Sequence, residues 1–449
     1  MNAEKILQLV PDYEVFLTVD ELAAECRRLS KEYPEVITLK SIGKSRKGDE
    51  LWALVMGRGD KNALCFACPH PNEPIGAMTL IALAGIFAKD ADLLEETGMT
   101  WHLIPCIDPD GTRLNEGWFR GPFNIENYVR GFYRPGGSQQ VEWTFPMDYK
   151  GHTFSEPIPE TRALMAMIRE LKPSFVFSLH NSAFGGAYWY ITNDDAGLCE
   201  KLENCAVRQG IPLHLGEPES FYIKKKSGAV HSMMSKKSYF DALEKEGRPV
   251  PPGPMSFGTC SADYLSTVCD SLVLIAELPY FLAEGVDDDS PSDMRRGAAF
   301  DEKAERRRAV YSFLKEHWGN VRDLMDSENP FPHLVDEAIE LHCGEGEKRS
   351  DAAEYERLAT RAEKLDCLTL ARILEAQDLS LALRACNYAL DKNPGLAEQA
   401  VLENARSEIN ERLHEECVTL EQGCAYEVIT IKRAVSLQLE SALQAVSRC

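Results

Sequence analysis

Residues 63–80 read "ALCFACPHPNEPIGAMTL". The apolar run from Ala63 to Cys68 suits a strand buried on both faces, and the run from Ile75 onward suits a buried helix. Between them stand His70 and Glu73, three residues apart, among Pro69, Pro71 and Pro74. Proline interrupts both periodic structures, so the imidazole and the carboxylate fall in a strand-to-helix turn. A strand, a turn carrying polar groups and a buried helix form one unit of an α/β fold.

The flanking sequence repeats the alternation. "TVDELAAECRRLSKEYP" (18–34) predicts a helix, with Thr18 as N-cap and Glu21 completing a capping box. "VITLKSIGKS" (36–45) and "ELWALVMGRG" (50–59) predict two strands joined at the turn "RKGD". Further strands are expected in "MTWHLIPCID" (99–108), "SFVFSLHN" (174–181), "YWYIT" (188–192) and "SLVLIAELPYF" (271–281), with a helix over "PETRALMAMIREL" (159–171). The fold class is therefore α/β: a mixed, mostly parallel sheet flanked by helices. Beyond Glu284 the pattern changes to a polar loop, one long helix over 300–325 and a proline-bearing linker, "DSENPFPHL" (326–334). The rest reads as an all-α C-terminal domain, in which only "VITIKRAV" (428–435) is strand-like. The expected division is a catalytic domain over 1–327 and a helical domain over 328–449. "ALRACNYALDKNPG" (382–395) has the look of one repeat helix, but no partner recurs at a repeat period.

Net charge −22 excludes nucleic acid and anionic membrane surfaces as partners, since both need basic patches. No window reaches the roughly 18 apolar residues of a membrane span. The start, "MNAEKILQLVPDYEVFL", lacks the basic and apolar regions of a secretory leader. The 14 cysteines are dispersed through helices and strands, which fits reduced thiols and a cytoplasmic location. Cys65 and Cys68 form a lone Cys-x-x-Cys whose side chains point to opposite faces of a strand, so the pair reads as core.

Four predicted strands end in chemistry. They carry His70 with Glu73, then Asp108-Pro-Asp-Gly111, then His180-Asn-Ser182, then Glu277. In open α/β sheets, sites form at the carboxyl ends of strands. Two histidines and one carboxylate make a catalytic zinc shell with one position left open, and a further glutamate can take a proton from water there.

The ordered set "GKSRKGDELWAL", "HPNEPIG", "DPDG", "SLHNS" and "LIAELP" resembles the M14 family of zinc carboxypeptidases over about residues 12–325. The resemblance implies one Zn2+ per chain held by His70, Glu73 and His180, with Glu277 as general base. It implies hydrolysis of a peptide or amide bond in a small substrate, and Arg134 in "FYRPGG" as the arginine that stabilises the oxyanion. Asp263 falls at the floor of the family's side-chain pocket. The family's carboxylate-holding Asn-Arg is replaced by Glu142-Trp143, and its proton-donating tyrosine by Met255. An indole cannot replace a guanidinium fork. Arg130, Glu142, Trp143 and Asp263 are therefore the expected substrate contacts, and the two carboxylates would favour a positively charged substrate. Two other functions stay open: release of an acyl group from an N-acyl amino acid, as in aspartoacylase-like relatives, and a non-catalytic zinc-containing binding protein. The C-terminal helices are expected to cover the site or to join copies of the chain.

Overall fold

Eight of the strands form one sheet, and their ranges follow the apolar runs of the sequence. In chain order they are β1 (Ile37–Lys44), β2 (Glu50–Met56), β3 (Lys61–Ala67), β4 (Met99–Ile104), β5 (Phe175–His180), β6 (Tyr188–Ile191), β7 (Val230–Ser232) and β8 (Leu272–Glu277). The structure, a computed structural model, describes residues 3–343 and 352–449. Across the sheet the order is β1-β2-β4-β3-β5-β8-β6-β7. The pairs β3/β4, β3/β5, β5/β8 and β6/β7 are parallel, and β1/β2, β2/β4 and β6/β8 are antiparallel. The sheet is mixed and mostly parallel, as the alternation of elements predicts.

Both faces of the sheet are covered, so its central strands are apolar throughout. All six residues of β5 are buried. On one face, Cys65, Phe177, Leu179 and Leu274 pack with the helices α1 (Val19–Glu32), α2 (Ile75–Lys89) and others in the main core. On the other face, Leu64, Phe66, Val176 and Val273 pack with α3 (Pro159–Leu171). Thr18 caps α1 in a full capping box, as expected. The start of α2 lies directly on the strand ends: a Cβ on Gly76 would stand 2.6 Å from that of Leu179 and 3.0 Å from that of Ala67. Glycine at this position lets the turn bearing His70 and Glu73 meet the end of β5.

The C-terminal region is helical, with α4 (Arg372–Asp391), α5 (Leu396–Gly423) and α6 (Ile431–Val446) its longest members. One hydrophobic cluster runs from Ile6 to Val446, and α6 packs against α2, β5 and β8. The strand-like "VITIKRAV" is a correction: only Tyr426–Val428 is extended, and Ile431 onward is helix. Its β-branched residues serve a helix buried on most sides, where packing overrides intrinsic preference. Three buried polar residues of α6 find partners outside the helix. Gln438, fully buried, donates to the His180 carbonyl at 3.0 Å and accepts from the Thr79 hydroxyl at 2.7 Å. Ser441 accepts from Trp189 Nε1 at 3.1 Å, and Glu440 accepts from Arg208 Nε at 2.8 Å.

Gln438→Leu removes both contacts at once and leaves the His180 carbonyl buried beside a methyl group, while the Thr79 hydroxyl keeps the Ile75 carbonyl at 3.0 Å. The expected cost is about 1–3 kcal/mol, read as a lower urea midpoint at unchanged slope. An unchanged midpoint would show that this residue does not fasten α6 to the sheet.

Candidate metal centre and active site

The turn after β3 is braced by two other strand ends. Cys68 takes a left-handed backbone conformation (φ 53°), and the Glu73 N–H donates to the His70 carbonyl at 3.1 Å. Asn181, just past β5, accepts from the Ile75 N–H at 3.2 Å. Tyr280, just past β8, donates to the Asn72 carbonyl at 2.8 Å. These contacts bring three ligand groups to one point. His70 Nδ1 lies 3.0 Å from Glu73 Oε1, His180 Nδ1 lies 2.9 Å from Glu73 Oε2, and the two Nδ1 atoms are 3.1 Å apart. Within the described residues this buried trio is the group whose donor atoms can hold a metal ion.

The donor set fits zinc, and so does what stands behind it. Ser178 sits two residues before His180 and therefore on the same face of β5. Its hydroxyl donates to Glu142 Oε1 at 2.6 Å, which turns a lone pair toward His180 Nε2 at 2.9 Å. That arrangement keeps a proton on Nε2 and leaves Nδ1 facing the Glu73 carboxylate. A ring lone pair and a carboxylate oxygen 2.9 Å apart need a proton or a cation between them. Electrostatics say the same. Burial depresses the His180 pKa, yet Glu73, Glu142 and Glu277 outweigh it and raise it to about 10. Burial and then Arg134 lower His70 to about 4. Glu73 is buried as well, but the two imidazoles hold it well below the usual carboxylate range. The site is set for positive charge at its centre.

Arg134 Nη2 lies 2.8 Å from His70 Nε2, and its Nη1 lies 3.7 Å from Glu73 Oε1. A guanidinium only donates, so Nε2 accepts and the His70 proton sits on Nδ1. If His70 held an ion through Nδ1, its proton would sit on Nε2, which could not then accept from Arg134.

Glu277 pairs with His180 across β5/β8 and with Tyr188 across β8/β6, so Tyr188, Glu277 and His180 form one row across the sheet. Its Oε1 lies 3.9 Å from His180 Nδ1. The residue is 7% exposed, and among the described residues its carboxylate accepts no hydrogen bond. Burial, with Glu73 and Glu219 nearby, raises its pKa well above the usual value against the pull of His180.

The expected substrate contacts divide differently. Glu142 is buried and fully engaged: besides Ser178, it accepts from the Ser261 N–H at 2.8 Å and the Ser261 hydroxyl at 3.0 Å. It backs His180 rather than facing a substrate, because a strand-end serine and a helix start claim both its oxygens. Asp263 is likewise occupied, accepting from the Ser235 hydroxyl at 2.7 Å, from the Lys236 N–H at 3.1 Å and from the Thr259 hydroxyl. These two carboxylates therefore give no reason to expect a positively charged substrate. Arg130 is drawn away from the site, to Glu126 at 2.7 Å and to Asn410 of α5 at 2.7 Å. Trp143 is half-buried among the apolar residues under α3, and its carbonyl accepts from the Gly258 N–H at 2.7 Å. Ser178 and Glu219 were not singled out by sequence. Strand alternation could have flagged Ser178. Glu219, which accepts from the Tyr188 hydroxyl at 2.7 Å, lies on a loop with no such signal.

Residues 22–205 match the zinc carboxypeptidase family, peptidase M14. Over that stretch the chain is similar to zinc carboxypeptidases. Human carboxypeptidase D is 28% identical over 233 residues, covering 47% of this chain and 15% of that protein. Mouse carboxypeptidase M is 26% identical over 187 residues, covering 37% of this chain and 39% of that protein. The chain thus spans well under half the length of these relatives. A solved carboxypeptidase A from Helicoverpa armigera is 15% identical, with a TM-score of 0.39, over 62% of this chain and 71% of that one. The matched segment contains His70, Glu73 and His180; Glu277 lies beyond it.

Glu142→Gln weakens the anchor of His180 without touching the ion. The metal dissociation constant, measured by competition with a chromophoric chelator, is expected to rise about 10–100-fold. An unchanged constant would mean that Glu142 has no part in holding the ligand.

Proposed function

We propose that the chain is a zinc-dependent hydrolase that cuts a peptide or amide bond with water, with one zinc ion per chain and Glu277 as general base. The observation that carries this reading is the contrast between two buried glutamates. Glu142 has hydrogen-bond donors on both oxygens, as a structural carboxylate should. Glu277 has none among the described residues and stands next to the ligand trio. A carboxylate that meets no protein donor at that place is suited to receive a proton from something the protein does not supply. A pure zinc scaffold has no need of it.

His70, Glu73 and His180 would hold the ion, which when bound polarises a carbonyl and acidifies water. Glu277 accepts the proton of the attacking water and afterwards returns it to the departing amine. Its raised proton affinity suits both halves of that task. Arg134, which stands beside His70 and Glu73, would be free to donate to the developing oxyanion if His70 held the ion through Nδ1. Burial keeps bulk water away from these charges and strengthens each contact. Cytoplasmic action is supported by the cysteines, all of which are free thiols. No described helix is long and apolar enough to cross a membrane.

Glu277→Gln keeps the shape of the side chain and removes its basicity. Turnover of a blocked dipeptide is expected to fall by about 10²–10⁴-fold, while zinc content stays the same. Retained turnover in the zinc-loaded variant would remove Glu277 from the mechanism.

A further inference from the structure

With Trp143 where the resemblance expects an arginine, a cation for that wall has to come from elsewhere in the chain. The described basic residues around the site are mostly spoken for. Arg130 binds Glu126 and Asn410. Arg46 binds Glu160 at 3.1 Å and Asp108 at 3.2 Å.

Lys236 differs. It is the first residue of the helix Lys236–Lys245, and Asp263 takes its backbone N–H, not its ammonium. The ammonium instead rests 3.8 Å from the centroid of Phe257, with the Tyr239 and Phe240 rings at 5.7 and 6.0 Å. Among the described residues no carboxylate pairs with it, in a chain of net charge −22. Burial alone lowers its pKa to about 8. Aromatic faces attract a cation but do not supply its counter-charge, so Lys236 is a largely desolvated cation lacking an anion.

Its position leads back to the site. Phe257 packs on Gly137, where a Cβ would lie 3.0 Å from the ring, and Gly137 is three residues from Arg134. The next residue, Gly258, donates to the Trp143 carbonyl at 2.7 Å. The Lys236 ammonium is therefore attached, through one ring, to the segment where Trp143 replaces the expected guanidinium and to the strand of chain that carries Arg134.

We propose that Lys236 is the specificity-determining cation of this site, binding the free carboxylate of a substrate in place of the missing arginine. The proposal rests on the hydrolase reading above for its substrate but not for its binding chemistry. A lysine offers a point charge rather than a planar fork, so it accepts carboxylates in several orientations and discriminates chiefly between charged and neutral ends.

The test uses one N-acylated dipeptide in two forms, with a free C-terminal carboxylate and as the C-terminal amide. Lys236→Met keeps the aliphatic contact with Phe257 and removes the charge. In the zinc-loaded full chain it is expected to raise KM for the acid about 10–100-fold, to leave the amide unchanged, and to be rescued by Lys236→Arg. Equal effects on acid and amide, or none on the acid, overturn the proposal. Calorimetric binding of both peptides to the Glu277→Gln protein separates this question from catalysis. If Glu277→Gln binds the acid more tightly than the amide and the added Lys236→Met erases that difference, Lys236 stands even where the hydrolase reading fails. If acid and amide bind alike before and after, Lys236 is not the anchor.

Discussion

Three ligand groups from two distant segments of chain can meet only because β3 and β5 are adjacent, parallel and end at the same level. His70 and Glu73 lie a few residues past the end of β3, and His180 is the last residue of β5. Parallel pairing puts both carboxyl ends on one edge of the sheet, and Gly76 lets the following helix close on that edge without a side chain in the way. Once the three groups converge, the lone pair of His180 Nδ1 faces the Glu73 carboxylate, and positive charge between them becomes an electrostatic necessity. The roles of Ser178, Glu142, Arg134 and Glu277 all follow from that crowding.

Holding such a cluster in place requires a sheet that cannot flex, and the chain achieves this by burying both faces. The last helix is as much a part of that support as the helices between the strands. Its glutamine holds the carbonyl of a candidate ligand residue, its serine meets a tryptophan of the sheet, and its glutamate meets an arginine of a neighbouring helix. Polar groups placed singly in a core are tolerated when each has a partner, and they fix one register among the many that apolar packing alone would allow. The chain turns helical after residue 328, and one hydrophobic cluster still runs from Ile6 to Val446.

Much of this was legible in the sequence for a simple reason. The apolar runs were long enough to mark the strands, and His70, Glu73, His180 and Glu277 each stood where such a run stops. Arg134 could be placed by its spacing within a recognisable segment. Glu142, Asp263 and Arg130 could not, because their surroundings are set by loops and by helices far along the chain: Ser261, Ser235 and Asn410 decide where those side chains turn. The last helix was hidden by its own β-branched start and by polar residues that look solvent-exposed until their partners are known. Lys236 carried no signal at all, since nothing in its sequence neighbours reveals that no described carboxylate pairs with its ammonium.

The account reduces to a claim about one ion and the residues that receive it. Native mass spectrometry of the purified full chain, loaded with zinc and exchanged into volatile buffer, tests that claim with His180→Ala beside the wild type. The account predicts a wild-type mass one zinc ion above that of the polypeptide and a variant without it. A wild type that retains no zinc, or a His180→Ala protein that retains one as firmly, would contradict the convergence on which the site is built.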